Sequence, residues 1–351
     1  MLWRLPAPVR SFLVSNSRRY SSNVTKNAES LRILFCGSDE FSIASLRALS
    51  KASQEVPELV ESIDVVHRPA KPTGRGLKTL REVPIKRVAT EELNLPTHAI
   101  DTFTGWTPPT PIDLVIAVSF GLFVPPRILN LAKYGGLNVH PSLLPDLHGP
   151  APLHHTLLKG RPFTGVTIQT LHAAHFDRGM TIAQTPPPGI EVGRQTTLLH
   201  LTEQLGEVGA NMLVGVLKSG AFIPPLKDVG WYAASGGPID HAEKITKQHG
   251  YVDFSKLTLQ DILNARRALG SLWCKLPNGD RVILDEIEDS GLPVLPDGEN
   301  GIWAPDGMDI PLARAACGGV LRINRSTYEG GKTGRGNTRL MRVLEADKSS
   351  G

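Results

Sequence analysis

Cysteine is scarce in this chain of 351 residues: Cys36, Cys274 and Cys317 are odd in number, far apart, and form no CxxC pair or ligand-like cluster. That excludes a disulfide framework and a thiolate metal site, and leaves buried thiols in a reducing compartment as the expectation. No apolar run comes near the ~18 residues of a membrane-spanning helix, so a soluble protein is expected. There is no internal repeat and no extended low-complexity segment. Two nucleotide-binding motifs also fail. Gly37-Ser38-Asp39-Glu40-Phe41 lacks the later glycines of a dinucleotide fingerprint, and Gly331-Lys332-Thr333 has Ser326 where a phosphate loop needs its first glycine.

Acid is missing from the first 27 residues, which hold Arg4, Arg10, Arg18, Arg19 and Lys26 among several serines. This is the composition of a mitochondrial transit peptide over 1–27. A disordered tail is the alternative, and a secretory signal fits worse because Arg10 and Ser11 interrupt its apolar core. The net charge of +4, from 38 basic and 34 acidic residues, belongs to that leader. The remaining body is balanced to within one charge, so affinity for a polyanion must come from local basic patches.

With 40% hydrophobic and 21% charged residues the composition is ordinarily globular, and the length suffices for about two domains with separate cores. From Leu31, short apolar runs alternate with helix-like stretches: LRILFC, FSIASLRALS, DLVIAVS, PPRILNLA, GGLNVH, PLHHTLLKG and GVTIQTL. The alternation predicts an α/β domain over 30–220, a mostly parallel sheet with flanking helices on both faces. A long helix is expected after Thr196 or Thr197, with Leu201, Leu205, Val208 and Met212 as its buried stripe. Residues 221–250 mix Pro, Gly and polar residues without sustained periodicity, as a linker would. In the second domain, 251–345, WCKL and RVILDEIE flank Pro277-Asn278-Gly279-Asp280, and IWAP and MDIPL flank Asp306-Gly307. Both read as hairpins, and with the strand GGVLRINRS a small antiparallel barrel is the simplest closure.

A strand at Gly136-Leu137-Asn138-Val139-His140 sends Leu137 and Val139 to one face and Asn138 and His140 to the other. The two polar side chains then point together near the strand's carboxyl end, where open α/β sheets bind ligands. The next apolar run, GVTIQTL, leads into a polar loop that holds Asp177. An amide, an imidazole and a carboxylate are the parts needed for acyl transfer to an amine: an oxyanion donor, a proton exchanger and a group that orients it. No Cys or Ser nucleophile has a recognisable setting, so attack by the substrate amine itself is the economical mechanism. His148, His154, His155, His172 and His175 match no zinc spacing and have few carboxylates near them, so structural or solvated histidines and no metal are expected.

Between Arg68 and Arg87, the bases Arg68, Lys71, Arg75, Lys78, Arg81, Lys86 and Arg87 face one acid, Glu82. The Pro72-Thr73-Gly74-Arg75-Gly76 core makes this a projecting loop suited to a nucleic-acid groove, a solvated face being the alternative. Near the end Arg314, Arg322, Arg325, Lys332, Arg335, Arg339 and Arg342 face only Glu329. On a barrel this reads as an electrostatic landing site for RNA backbone, with a solubilising tail as the alternative. Aromatics are too sparse there for a stacking platform.

Six segments taken in order resemble the methionyl-tRNA formyltransferase family: ILFCGSDEFSIASLRAL, VVHRPAKPTGRGLK, EVPIKRVA, DLVIAVSFGLFVPPRIL, GGLNVHPSLLPDLHGPAPLHHTLLKG and GVTIQTLHAAHFDRGMTIAQT. The resemblance is strongest over 113–185 and weakest beyond 250. NVHPSLLP marks folate-dependent formyltransferases and hydrolases as a group without choosing among them. The resemblance implies a Rossmann-like formyltransferase domain followed by an OB-like barrel. It further implies 10-formyltetrahydrofolate as donor and initiator methionyl-tRNA as acceptor, with the leader placing the reaction in the mitochondrial matrix. The family's catalytic Asn, His and Asp fall on Asn138, His140 and Asp177, and its folate-site loop on Ser142, Leu143, Leu144 and Pro145. Its loop that wedges into the tRNA acceptor stem falls around Arg75, the key arginine, with Lys71 and Lys78 beside it. Arg322, Arg325, Lys332 and Arg335 are the expected tRNA contacts of the second domain. Arg178 stands where Thr is common, and the loop before Asp177 is rich in histidine. A monomer without a membrane partner is expected.

Three alternatives stay open. Glycinamide ribonucleotide formyltransferase shares the Asn-His-Asp core but lacks a second domain and has no use for two RNA-facing patches. Formyltetrahydrofolate hydrolase uses water as acceptor and usually carries a regulatory domain before the core, where only a leader is expected here. A non-catalytic RNA-binding module is opposed by retention of all three polar residues.

Overall fold

The structure, a computed structural model, describes residues 29–350 except 74, 75, 77 and 296, with only the backbone at 347–350. The expected leader at 1–27 and Arg75 lie outside the described residues.

The apolar run Leu31–Gly37 forms β1. Asp39 then opens α1 (Glu40–Glu55) as its N-cap, its carboxylate accepting from the Ser42 amide at 3.1 Å. β2 (Val60–His67) is followed by a small hairpin, β3 (Lys71–Thr73) and β4 (Thr79–Arg81), then by α2 (Pro84–Arg87) and β5 (Thr97–Ala99). Next come β6 (Leu114–Val118), α3 (Pro126–Leu129), β7 (Gly136–His140) and α4 (Pro152–Leu158). The short strands β8 (Phe163–Thr164) and β11 (Ile190–Glu191) pair with each other, and β9 (Thr167–Thr170) and β10 (Thr181–Gln184) lie between them in sequence.

The main sheet has seven strands in the order β10-β9-β7-β6-β1-β2-β5. The strands from β7 to β5 are parallel, and β9 alone runs against them, pairing antiparallel with both β7 and β10, in agreement with the expected fold class. Chain order reverses at β1, with β2 and β5 on one side and β6 and β7 on the other. Such a switch point opens a crevice at the carboxyl ends of the two diverging strands. One face of the sheet packs on α1 and α5 (Leu198–Ser219) through Leu46, Leu49, Leu205 and Leu213. The other is covered by Phe103, Phe120, Ile128 and Leu129.

α5 begins where expected, Thr197 capping the His200 amide at 3.3 Å. Leu201 and Leu205 are buried as expected and Val208 and Met212 pack half-buried against the core, and Gly209, Ala210, Leu213 and Val216 widen the contact. Gly209 lets the helix lie close on the sheet, since a Cβ there would stand 2.9 Å from Val139 Cγ1.

The second unit has its own core. α6 (Leu259–Leu269) starts at a reciprocal Thr258–Asp261 capping box. The strands β12 (Leu272–Lys275), β13 (Arg281–Asp289), β14 (Gly301–Trp303), β15 (Leu312–Arg314) and β16 (Val320–Tyr328) form an antiparallel sheet in the order β12-β13-β16-β15-β14. α7 (Asn337–Ser350) lays Leu340, Met341 and Leu344 on that core. Both expected hairpins form, although the second returns only at Leu312. Two expectations are corrected. Arg314 is buried inside β15, its guanidinium donating to Leu295 O, Gly298 O and Asn300 Oδ1, so it is not part of a basic surface. Cys36 and Cys274 are buried, but Cys317 is exposed on the turn between β15 and β16.

Residues 221–250 lie against the first unit: the Trp231 and Tyr232 amides donate to Gln184 Oε1 at 3.0 and 3.1 Å, and Trp231 Nε1 to Thr185 O at 2.7 Å. Among the described residues no helix is long and apolar enough to cross a membrane.

Candidate active site

β7 separates its residues as the two-residue period requires. Leu137 and Val139 join the core beneath α5, and Asn138 and His140 turn to the opposite face. The antiparallel register with β9 sets Gln169 opposite Asn138 and Thr167 opposite His140. Because β9 runs against β7, its following loop leaves beside the start of β7, where Leu171 N donates to Gly136 O at 2.8 Å. The loop then folds back across the sheet to deliver Asp177.

Asp177 has φ +51, a left-handed conformation that Asp tolerates better than most residues. Its Oδ1 accepts from Asn138 Nδ2 at 3.2 Å and Gln169 Nε2 at 3.0 Å, and its Oδ2 from the Gly149 amide at 2.8 Å. His140 Nδ1 lies 3.4 Å from Asp177 Oδ1. His140 Nε2 is 3.1 Å from Leu147 O, and a carbonyl only accepts, so Nε2 carries a hydrogen. Nδ1, facing Asp177, is therefore where the imidazole gains or loses a proton. One N–H of the Asn138 amide serves Asp177, which leaves the other for a ligand.

Gln169 was missed by sequence reasoning. It is 2% exposed, and while its Nε2 holds Asp177 its Oε1 accepts from Gly179 N at 3.1 Å, so one side chain fixes both flanks of the returning turn. The signal lies in the alternation: Thr167 and Gln169 stand at alternate positions of β9, on either side of the apolar Ile168.

These groups line a cavity of about 610 Å³ that also reaches Asp39, Phe123, Phe176 and His241. Asp39 is open to the cavity, yet the protein around it displaces enough water to raise its pKa from the ordinary carboxylate value. Burial lowers His154 from the ordinary imidazole value, with His155 and His249 adding to the effect.

Ser142, Leu143 and Leu144 are buried behind the cavity wall, and of the segment 141–145 only Pro141 lines it. The loop's polar groups are satisfied internally: Ser142 Oγ donates to Asp146 O, Leu144 N donates to Thr167 Oγ1, and Leu144 O accepts from Gln184 Nε2. Lys71 and Lys78 are exposed at the β3–β4 hairpin, as is Arg81. Arg322, Arg325, Lys332 and Arg335 are exposed on the second unit, the first two lying 3.7 and 3.8 Å from Glu288 and Glu286. Neither basic group lines the cavity. His172 and His175 stack on each other and Arg178 is exposed. Among the described residues no three His, Cys, Asp or Glu side chains gather as a metal site would require.

Residues 31–217 match the family model described as formyl transferase. A putative methionyl-tRNA formyltransferase of Schizosaccharomyces pombe is 33% identical over 279 residues, covering 73% of this chain and 78% of its own. The mitochondrial methionyl-tRNA formyltransferase of Saccharomyces cerevisiae is 32% identical over 74% of this chain and 73% of its own. Among solved structures, a sugar 3N-formyl transferase shares the fold at a TM-score of 0.55 and 14% identity, over 87% of this chain and 100% of its own. An N-formyltransferase from Helicobacter canadensis does so at a TM-score of 0.55 and 14% identity, over 84% and 98%. With a family match over 31–217 and relatives about a third identical over most of both chains, the chain belongs to the methionyl-tRNA formyltransferase family.

Proposed function

We propose that this chain transfers the formyl group of 10-formyltetrahydrofolate to the α-amino group of initiator methionyl-tRNA in the mitochondrial matrix. One observation carries the chemistry: the Asp177 carboxylate, gripped by three N–H donors, stands 3.4 Å from His140 Nδ1 on the wall of a ligand-sized cavity. The neutral amine attacks the formyl carbon, and the carbonyl electron pair moves to oxygen, where the free N–H of Asn138 donates to it. The His140–Asp177 contact takes the proton released by the attacking nitrogen and returns it to folate N10 as the carbon–N10 bond breaks. No enzyme nucleophile enters, and burial holds the nearby Cys36 thiol protonated.

Ser142, Leu143, Leu144 and Pro145 serve the folate site from behind, by fixing Pro141 and the end of β7. Lys71, Arg75 and Lys78 act as one tRNA contact and Arg322, Arg325, Lys332 and Arg335 as another, on an OB-like domain at 251–345 joined to the catalytic domain by 221–250. The names of the relatives support this acceptor, and those from Saccharomyces cerevisiae and Bos taurus are called mitochondrial. The composition of 1–27 supports the same compartment. The chain acts as a monomer.

Labelled formyl transfer to charged initiator tRNA, charged elongator tRNA, glycinamide ribonucleotide and water, run in parallel, tests the acceptor. Initiator methionyl-tRNA should dominate. Asn138→Ala and Asp177→Ala should each lose at least about a thousandfold in single-turnover rate with the fold intact. Near-normal turnover in either variant would sink the mechanism.

A further inference from the structure

The segment between the two units is built into the active site. Leu147, 1% exposed, has φ +53, which a bulky residue holds only where its surroundings fix it. Its carbonyl is the acceptor for His140 Nε2, and the Gly149 amide two residues on is a donor to Asp177. This one loop therefore orients two members of the catalytic constellation through backbone groups alone.

What fixes the loop comes from residues 240–242. On one side of Leu147, the Asp146 carboxylate accepts from the Asp240 amide at 2.9 Å, 94 positions further along the chain, and from Arg161 at 2.9 and 3.1 Å. Arg161 also donates to the Asp240 carboxylate. On the other side, Ala242 N donates to His148 O at 2.8 Å, and Ala242 O accepts from Ala151 N at 3.2 Å. Gly149, with φ +120, is enclosed by the same segment: a Cβ there would stand 2.7 Å from Ala242 O and 2.8 Å from His241 Nε2.

We infer that Asp240 is a positioning residue for formyl transfer: with Arg161 it clamps the Leu147–Gly149 loop, and through that loop it sets His140 and Asp177. The inference rests on the reading of Asp177 as catalytic. Asp240 has no need to reach the substrate, because its carboxylate is engaged by Arg161 and by Lys159 at 3.4 Å. Its side chain is 41% exposed, so its ion pairs add little to global stability and an effect on rate separates from unfolding.

In the full chain, Asp240→Asn keeps the backbone amide that binds Asp146 and removes one of the two carboxylate charges that hold Arg161, Asp146 keeping the other. The expected result is about a tenfold fall in kcat, the effect of weakening one hydrogen bond to a charged group. KM for donor and acceptor should stay within about twofold and Tm within about 2 °C, and Asp240→Glu should restore most of the rate. A wild-type kcat in Asp240→Asn overturns the inference, whether or not Tm falls. So does a loss matched by an equal rise in KM that Asp240→Glu fails to recover. Asp177→Ala measured alongside keeps the two questions apart: activity lost there and kept in Asp240→Asn overturns the clamp alone, whereas activity kept in Asp177→Ala overturns the catalytic reading and the clamp with it.

Discussion

Asp39 and Asp177 face the same cavity, but only Asp177 is met by three N–H donors. Asp39 is open to the cavity, yet loss of water to the surrounding protein outweighs the hydrogen bonds from Ser42 and Ser119, so its carboxyl is raised from the ordinary value near 3.9. A raised folded pKa means that the folded state binds the proton more tightly than the unfolded chain does. The contribution to stability is then fully present below the ordinary pKa and is lost as pH rises through the folded one. Asp39→Asn keeps a capping oxygen and removes the ionisation. Its Tm should match that of the wild type near about pH 4 and exceed it increasingly toward pH 7, as followed by thermal unfolding across that window. A gap independent of pH would show that burial does not govern this carboxyl. At this scale Asn138 and His140 are legible in the sequence, because a two-residue period is a property of any strand, and Thr167 and Gln169 carry the same signal. Leu147 and Gly149 are not. They act through a carbonyl and an amide, and every residue type but proline offers both.

Glycine is where reading elements from side-chain patterns runs out. The stripe expected on α5 follows the apolar residues Leu201, Leu205, Val208 and Met212, which pack on the core, but the helix also packs through Gly209, whose lack of a side chain is what lets Val139 and Val166 approach. Gly215 lies in the same helix, and a Cβ there would have nothing within 4 Å. Alanine at either position gains about 0.8–1 kcal/mol of helix propensity. At Gly215 that gain stands alone, and Gly215→Ala should raise stability by roughly that amount. At Gly209 a new methyl would meet Val139 Cγ1 at 2.9 Å and Val166 Cγ1 at 3.3 Å. Overpacking of this kind costs about 1–3 kcal/mol, so Gly209→Ala should be net destabilising and should shift the strand that carries Asn138 and His140. Denaturant unfolding of the two variants checks the sign, and equal gains would mean that α5 is free to move. The direction of β9 is hidden for a related reason. An apolar run announces a strand but not which way it pairs, so the loop bearing Asp177 leaves from an end that a parallel pattern does not suggest.

Across the whole molecule the distribution of charge matters more than its sum. The C-terminal bases have one acid, Glu329, among them in sequence, but the register of β13 with β16 sets Glu288 opposite Arg322 and Glu286 opposite Arg325. Such partners come from a strand some forty residues away and cannot be seen in a local run of bases. Burial of Arg314 removes another cation from the surface. Lys332 and Arg335 are exposed with no acid at ion-pair distance among the described residues, so they are the better candidates for phosphate. Each phosphate neutralised on an RNA adds about 0.7–0.9 to the slope of log affinity against log salt. Lys332→Gln combined with Arg335→Gln should therefore flatten that slope by about 1 or more for charged tRNA, at unchanged kcat on saturating acceptor. Arg322→Gln with Arg325→Gln should flatten it by less than half as much, since those guanidinium groups must leave Glu288 and Glu286 before they meet a phosphate. The test is acceptor KM measured over a KCl series for both pairs. Equal flattening would mean that the cross-strand carboxylates do not compete, and that Arg322, Arg325, Lys332 and Arg335 act as a single basic surface.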